Sequence, residues 1–144
     1  MIMKRKISIP CGILLYLLFA GALPAADESI ESSETLIRSN KSWNGATLPH
    51  YPEGQPEITI LKIRIPPGVR LPMHKHTVIN AGVLLKGELT VTTNKGEVLK
   101  LKSGDPIIEI VGDWHYGENE GREPAEIIVF YAGSQGTPNT VKEQ

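Results

Sequence analysis

The sequence is poor in the residues on which several common functions depend. It has one cysteine, Cys11, among its 144 residues, which argues against a disulfide framework. Aromatic residues make up only 6% of the chain. Its 15 basic and 16 acidic residues give a net charge of −1. Because no basic cluster follows the first few residues, no nucleic-acid partner is expected. The sequence also shows no Ser-His-Asp arrangement, phosphate-binding loop, dinucleotide fingerprint or heptad run, so any chemistry must come from another kind of site.

The start of the chain has the three parts of a secretory signal peptide. Lys4–Lys6 are basic, Ile13–Phe19 are apolar and Ala20–Ala22 are small. We predict a signal peptide over residues 1–26, with cleavage after Ala26 or an earlier alanine. The apolar part is shorter than the ~20 residues that span a membrane. A periplasmic or secreted protein without stable membrane insertion is therefore expected, with an uncleaved anchor as the alternative.

The mature chain would be small and mildly acidic. Removal of residues 1–26 leaves 118 of the 144 residues, enough for one small domain. Cys11 leaves with the signal peptide, so the mature protein has no thiolate to bind a metal. Three of the 15 basic residues leave as well, and 12 then stand against 16 acidic residues.

The remaining sequence predicts an all-β domain. Residues 27–56 form a polar arm with edge strands, and the part from 33 to 38 fits either a short helix or an extended arm. Residues 57–133 alternate between short strands and turns, which is typical of an antiparallel sandwich or barrel, and residues 134–144 form a polar tail. The predicted strands cover 58–65, 79–85, 88–93, 97–102, 107–111 and 125–131.

Three histidines suggest a metal site. His74 and His76 are two residues apart, so on an extended strand both imidazoles lie on the same face. Asn80 shares that face if no bulge intervenes, and His115 comes from a distant strand. Three neutral imidazoles that converge suit a first-row transition metal. The alternative is that they are surface or core histidines without a ligand role.

The spacing of these residues resembles the two motifs of the cupin family. Four further glycines and one asparagine stand at the expected offsets: Gly68, Gly87, Gly104, Gly112 and Asn119. The chain departs from the family pattern at Asn80, where the motif has Glu, and at Ile110, where it has Pro. The resemblance covers about residues 57–133.

This resemblance implies a small single-domain cupin with a type-2-like conserved barrel. The expected fold is a double-stranded β-helix, a jelly-roll barrel whose mouth holds one divalent metal on His74, His76, His115 and Asn80. Asn119 is interpreted as a turn former that ties down the strand after His115. The resemblance also makes a homodimer an expectation.

Asn80 is the departure from the family motif that most changes the chemistry predicted for the metal site. A neutral amide in place of a carboxylate leaves three neutral imidazoles around the metal and about two units of positive charge. Such a site should attract an anionic or chelating ligand, and it resembles the three-histidine dioxygenases among the cupins. The side chain of Asn80 could ligate through its oxygen, orient a bound water, or point away.

Residues beside the histidines are interpreted mainly as structural. Trp114 and Tyr116 would lie on the opposite face from His115 and pack under the barrel wall. Asp113 either accepts a hydrogen bond from His115 or forms a turn. His50 could reach the mouth of the barrel as a proton donor.

Two functions remain open from the sequence. The first is a metalloenzyme for a small anionic or chelating substrate, with lyase, isomerase and dioxygenase chemistry unresolved. The second is a non-catalytic module that binds a small ligand or metal. Export in the unfolded state favours zinc or copper, which lie above iron and manganese in the affinity order, while iron, manganese and nickel are the alternatives.

Overall fold

The strands of this protein form two facing antiparallel sheets, which confirms the predicted all-β, double-stranded β-helix. The computed structural model describes residues 32–143, and the predicted signal peptide lies outside the described residues. Within these residues, nine strands follow in chain order: β1 Pro56–Ile65, β2 His74–His76, β3 Ile79–Lys86, β4 Glu88–Thr93, β5 Val98–Lys102, β6 Pro106–Ile108, β7 His115–Glu118, β8 Ala125–Ser134 and β9 Thr140–Lys142. Within residues 32–143 no helix is long and apolar enough to cross a membrane.

The strand order separates the two walls of the barrel. One sheet has the order β1-β8-β3-β6, and the other has the order β5-β4-β7-β2-β9. We call them the four-stranded wall and the five-stranded wall. Apolar residues that alternate along the strands fill the space between them. The buried core consists of Ile65, Val78, Leu84, Leu89, Val91, Leu101, Ile107, Ala125, Ile127, Val129 and Tyr131.

Strand β1 illustrates how the sequence pattern determines which face is buried. It pairs with β8 along its whole length, and Ile65 is buried in the core at its end. Lys62 alternates to the outer face, where its amine lies 2.9 Å from a carboxylate oxygen of Glu126 on β8. The strand predicted over 58–65 is therefore present, and it starts two residues earlier, at Pro56.

Hydrogen bonds close the β4–β5 hairpin and hold the segment after β7. The hairpin between β4 and β5 is closed by the amide of Thr93, which donates to the carbonyl of Glu97 at 2.9 Å. Asn119 is fully buried. Its amide nitrogen donates to the carbonyls of Ile65 at 2.9 Å and Glu123 at 2.8 Å. Asn119 thus fastens the segment after β7, as predicted.

Two glycines are needed for different reasons. Gly87 has a φ of 77° between β3 and β4, a conformation that glycine adopts without strain. Gly82 has ordinary backbone angles, but a Cβ there would lie 2.6 Å from the carbonyl oxygen of Ile128. A side chain at position 82 would therefore push β3 away from β8.

The structure refines the sequence-based expectation at three segments. The strand predicted over 107–111 ends at Ile108, because Glu109 and Ile110 leave the ladder and Val111 instead forms a parallel bridge with His76. The segment 33–38 is not helical, which leaves the extended arm of the two predicted forms. The polar tail contributes β9, which pairs with β2.

The N-terminal arm closes the free edge of β6. The amide of Trp43 donates to the carbonyl of Ile108 at 2.9 Å, and the hydroxyl of Ser42 donates to the carbonyl of Glu109 at 2.9 Å. Ser42 is buried. The arm therefore fixes the backbone at the end of β6, next to the histidine strands.

Candidate metal centre

The three predicted histidines converge on the five-stranded wall. His74 on β2 lies directly opposite His115 on β7 in the strand register, and His76 follows on the same face of β2. The ring centroids of the three pairs are 4.6 to 5.1 Å apart. One ligand atom from each ring lies within 4.8 Å of the other two. A metal with bonds of about 2.1 Å spans at most about 4.2 Å between two ligands, so a small contraction brings all three into contact with one ion.

Hydrogen bonds set the orientation of each ring. The Nδ1 atom of His74 lies 2.8 Å from the carbonyl oxygen of Pro72. The Nδ1 of His115 lies 3.0 Å from that of Asp113, and the Nδ1 of His76 lies 3.1 Å from the hydroxyl of Thr140. A carbonyl can only accept, so Nδ1 of His74 and of His115 carries the proton and Nε2 keeps its lone pair. This is the arrangement that metal-binding histidines commonly have.

The protonation state of the rings also suits a metal. Burial lowers the pKa of His76 to about 3, assisted by the neighbouring rings of His115 and His74. Burial likewise lowers the pKa values of His74 and His115 below their ordinary value. All three imidazoles are therefore neutral at neutral pH, the form that binds a cation.

A carboxylate that the sequence analysis did not single out lies beside the cluster. The Oε2 atom of Glu109 is 3.7 Å from Nε2 of His115, and Glu109 is 8% exposed. Burial raises the pKa of Glu109 to about 7. Because burial favours the neutral form of both groups, their proximity is not an ion pair in the metal-free protein. One feature of the sequence could have identified Glu109 as a site residue. It is the one charged residue in the apolar run Ile107–Val111.

Some buried polar atoms have no hydrogen-bond partner, and two of them lie at the contact between Glu109 and His115. Four buried side-chain atoms in the described part of the chain have no hydrogen-bond partner: Trp43 Nε1, Asn80 Oδ1, Glu109 Oε2 and His115 Nε2. Buried polar groups are usually paired. Two of these four, on Glu109 and His115, face each other, and both are donors of electron pairs to a cation.

The histidines and Glu109 line a cavity of about 50 Å³ between the two walls. That volume suits a metal ion with one or two waters. Tyr131, on β8, lines the cavity with its ring 5.5 Å from that of His76. Burial raises the pKa of Tyr131, and the carboxyl of Glu109 adds to this effect, so its phenol stays protonated. The remaining lining is mostly apolar: Ile63, Ile65, Leu71, Leu89, Val91, Gly117, Ile127 and Val129.

Asn80 is buried on β3 at 1% exposure, on the wall opposite the histidine strands. Its Nδ2 donates to the carbonyl of Val78 at 3.2 Å, and its Oδ1 has no partner. The residues that line the histidine cavity include Glu109 and Tyr131 but not Asn80. A ligand role for Asn80 stays a prediction.

Neighbouring residues have mostly structural contacts. The Trp114 ring contacts the amine of Lys75 at 4.9 Å, and the Tyr116 ring contacts the guanidinium of Arg70 at 4.4 Å. Neither aromatic ring lines the histidine cavity. The carboxylate of Asp113 accepts a hydrogen bond from Lys95 at 2.8 Å, while its backbone carbonyl lies against His115.

His50 and its neighbour Tyr51 lie on the surface. Both residues are exposed, and Tyr51 is 77% exposed. The structure therefore does not bring His50 into the cavity, and the cavity tyrosine is Tyr131 instead.

Comparisons with known proteins agree with this geometry. Residues 61–131 match the family model described as Cupin domain. A segment of 58 residues is 36% identical to gentisate 1,2-dioxygenase from Ralstonia sp, covering 40% of this chain and 16% of that enzyme. The match therefore spans only a small part of this curated relative.

Solved structures share the fold at low sequence identity. A protein with a double-stranded β-helix domain from Klebsiella pneumoniae is similar at a TM-score of 0.53 and 21% identity, over 66% of this chain and 90% of that one. The DMSP lyase from Ruegeria pomeroyi is similar at a TM-score of 0.52 and 21% identity, over 59% and 42% of the two chains. These likenesses support the double-stranded β-helix as the fold of this chain.

Proposed function

The chain belongs to the cupin superfamily, and from this premise we propose that it is an exported metalloenzyme for a small anionic or chelating substrate. The observation that carries the proposal is the convergence of His74, His76 and His115. The orphaned Nε2 of His115 supports it further, because a cation would satisfy that buried atom.

We propose zinc or copper as the resident metal. The proposal follows from export through the predicted signal peptide of residues 1–26, since a protein that folds outside the cytoplasm takes its metal there. Imidazole ligands follow the general affinity order, in which copper and zinc lie above iron and manganese. Periplasmic or secreted localisation is part of the same proposal.

The residues of the cavity have separate roles in this proposal. A bound divalent metal supplies Lewis-acid chemistry to a ligand that reaches it. The three histidines hold the ion, with rings oriented by Pro72, Thr140 and Asp113. The phenol of Tyr131 stays protonated, so its oxygen can donate a hydrogen bond or a proton to an anionic ligand. The apolar lining limits access of water.

A second candidate is a non-catalytic module that binds a metal and a small ligand. The small cavity favours it, because about 50 Å³ is well below the roughly 300–1,000 Å³ of sites for drug-sized ligands. The same volume restricts any substrate of the first candidate to a few atoms at the metal, unless the barrel mouth opens.

We also propose a homodimer through the outer face of the four-stranded wall. Ile60 on β1 pairs with Phe130 on β8, and Ile58 lies beside them. The three side chains are 54%, 46% and 63% exposed. An apolar patch of this kind is typical of an interaction surface. Light scattering on the wild type and on Ile60→Glu tests it, with a dimer expected only for the wild type.

The test of the proposed function begins with protein produced with its own leader and recovered from the periplasm of a bacterial host. Mass spectrometry should show loss of about residues 1–26, and elemental analysis should show about one zinc or copper per chain. The metal-loaded protein is then incubated with small anions, including oxalate and gentisate. Turnover of any of them supports an enzyme, whereas a thermal shift without turnover supports the binding module. Protein that takes up no metal would overturn both candidates.

A further inference from the structure

One buried carboxylate faces the histidine cluster, and we infer that Glu109 is the anionic ligand of the metal, in the role that the family motif gives to position 80. This inference rests on the proposed metal site. It changes the character of that site, because three imidazoles and one carboxylate leave about one unit of positive charge where three imidazoles alone leave two.

The separation of two facing atoms, one on Glu109 and one on His115, suits a shared cation. Oε2 of Glu109 and Nε2 of His115 are 3.7 Å apart, and neither has a hydrogen-bond partner. An ion with bonds of about 2.1 Å to each atom accommodates separations up to about 4.2 Å. One cation between them would therefore satisfy both orphaned atoms at once.

The buried position of Glu109 makes an unpaired carboxylate unfavourable there. Glu109 sits beside Ile108 and Ile110, which are both buried. A charged group in such surroundings is expensive unless it is paired or binds a metal. In the described part of the chain, the one basic side chain within 4.0 Å of its oxygens is the neutral imidazole of His115, so no lysine or arginine accounts for a carboxylate at this position.

Backbone hydrogen bonds hold Glu109 in place. Its amide donates to the carbonyl of Asn80 at 3.1 Å, and its carbonyl accepts from the hydroxyl of Ser42 at 2.9 Å. Glu109 is thus fixed from β3 on one side and from the N-terminal arm on the other. A ligand held in this way is pre-organised for the metal.

The same contacts explain how the carboxylate can come from position 109. Ala81 on β3 pairs with Ile108 on β6, so Asn80 and Glu109 are neighbours across the two strands. The motif places its acid on β3. This chain has an amide there and has an acid directly after the end of the adjacent strand β6, where its side chain lines the histidine cavity.

The experiment is a cobalt(II) titration of metal-free protein, with a competing chelator and visible absorption as the readout. The variants are Glu109→Gln, Glu109→Asp and, as a matched control, Glu126→Gln. The control makes the same chemical change on the outer face, where Glu126 pairs with Lys62. Circular dichroism of each metal-free variant establishes that it is folded.

We expect Glu109→Gln to weaken cobalt(II) binding by about 10- to 100-fold and to change the absorption spectrum, because one anionic ligand is lost. Glu109→Asp should bind with intermediate affinity, since it keeps the charge but withdraws the oxygen by one methylene. Glu126→Gln should match the wild type. Wild-type affinity and spectrum in Glu109→Gln would overturn the inference and leave the proposed function intact. Failure of the wild type to bind cobalt(II) would overturn both.

Discussion

The two walls of the barrel contribute to the site in different ways. On the five-stranded wall, His74, His76 and His115 each have one ring nitrogen tied by a hydrogen bond. On the four-stranded wall, the Oε2 of Glu109 and the Oδ1 of Asn80 are buried without a partner. The rings of the histidine wall are thus oriented by hydrogen bonds through Nδ1, with Nε2 of His115 left without a partner, whereas on the opposite wall it is the side-chain oxygens that lack a partner.

We therefore expect the histidine wall to determine whether a metal binds and the opposite wall to determine how tightly it binds. Ring orientation is set locally, by residues within two positions of His74 and His115 and by Thr140 on β9. The acid, by contrast, lies in an unfavourable environment until a cation arrives. Variants on the two walls should therefore have distinguishable effects on metal affinity and on the stability of the metal-free protein.

The largest effect is expected from loss of a ligand on the histidine wall. His76→Ala should weaken metal binding by more than about 100-fold, because loss of even an outer hydrogen-bond partner costs about 10- to 100-fold. Competition titration with zinc measures it. His50→Ala is the matched control, since His50 is exposed and outside the cavity. Equal affinity in the two variants would mean that the cluster does not hold the metal.

On the opposite wall, the pH dependence of the stability of metal-free protein tests whether Glu109 is a buried, isolated carboxyl. Burial raises the pKa of Glu109 from 4.5 to about 7. A raised folded pKa stabilises the protein below the unfolded pKa, and this stabilisation is lost as the pH rises through about 7. Relative to Glu109→Gln, the wild type should lose about 3 kcal/mol between about pH 4.5 and pH 8.

Urea unfolding of both proteins in the presence of a chelator measures this difference. The three histidines have lowered pKa values and act in the opposite direction, but they are common to the two proteins. A difference between the proteins that stays constant across this pH range would contradict the burial of an isolated carboxyl.

A smaller effect is expected from the residue that orients His76. Thr140→Val removes the hydroxyl that lies 3.1 Å from Nδ1 of His76, and metal affinity should fall by about 10-fold. Thr137→Val is the control, because Thr137 pairs with Ser134 outside the cavity. Similar losses in both variants would assign the effect to the tail as a whole.

The smallest effect on metal affinity is expected at Asn80. An amide is a neutral donor, so Asn80→Ala should weaken zinc binding by less than about 10-fold, well short of Glu109→Gln. The same zinc titration gives the comparison. A loss at Asn80 that equals or exceeds the loss at Glu109 would place the fourth ligand at position 80.

Much of the histidine wall could be predicted from the sequence. The two-residue spacing of His74 and His76 places them on one face of a strand, and the motif offsets bring in His115. Even there, β2 is only three residues long and depends on β7 and β9 for its partners. Pairing of that kind is a tertiary effect that local sequence does not encode.

The opposite wall was less predictable, for a physical reason. Which face Glu109 occupies depends on the point where β6 ends, and the pattern Ile107–Val111 reads as one continuous strand. Beyond Ile108 the amide of Glu109 still donates to Asn80 on β3, and the arm holds the carbonyl of Glu109 through Ser42. The approach of three separate segments is needed to bring this carboxylate to His115.

The account is tested most directly by a crystal structure of the zinc-loaded protein with anomalous diffraction at the zinc edge. We predict a single anomalous peak about 2.1 Å from Nε2 of His74, His76 and His115 and at a similar distance from a carboxylate oxygen of Glu109. A peak bound by the histidines with the Glu109 carboxylate turned away, or with Asn80 in its place, would contradict the account.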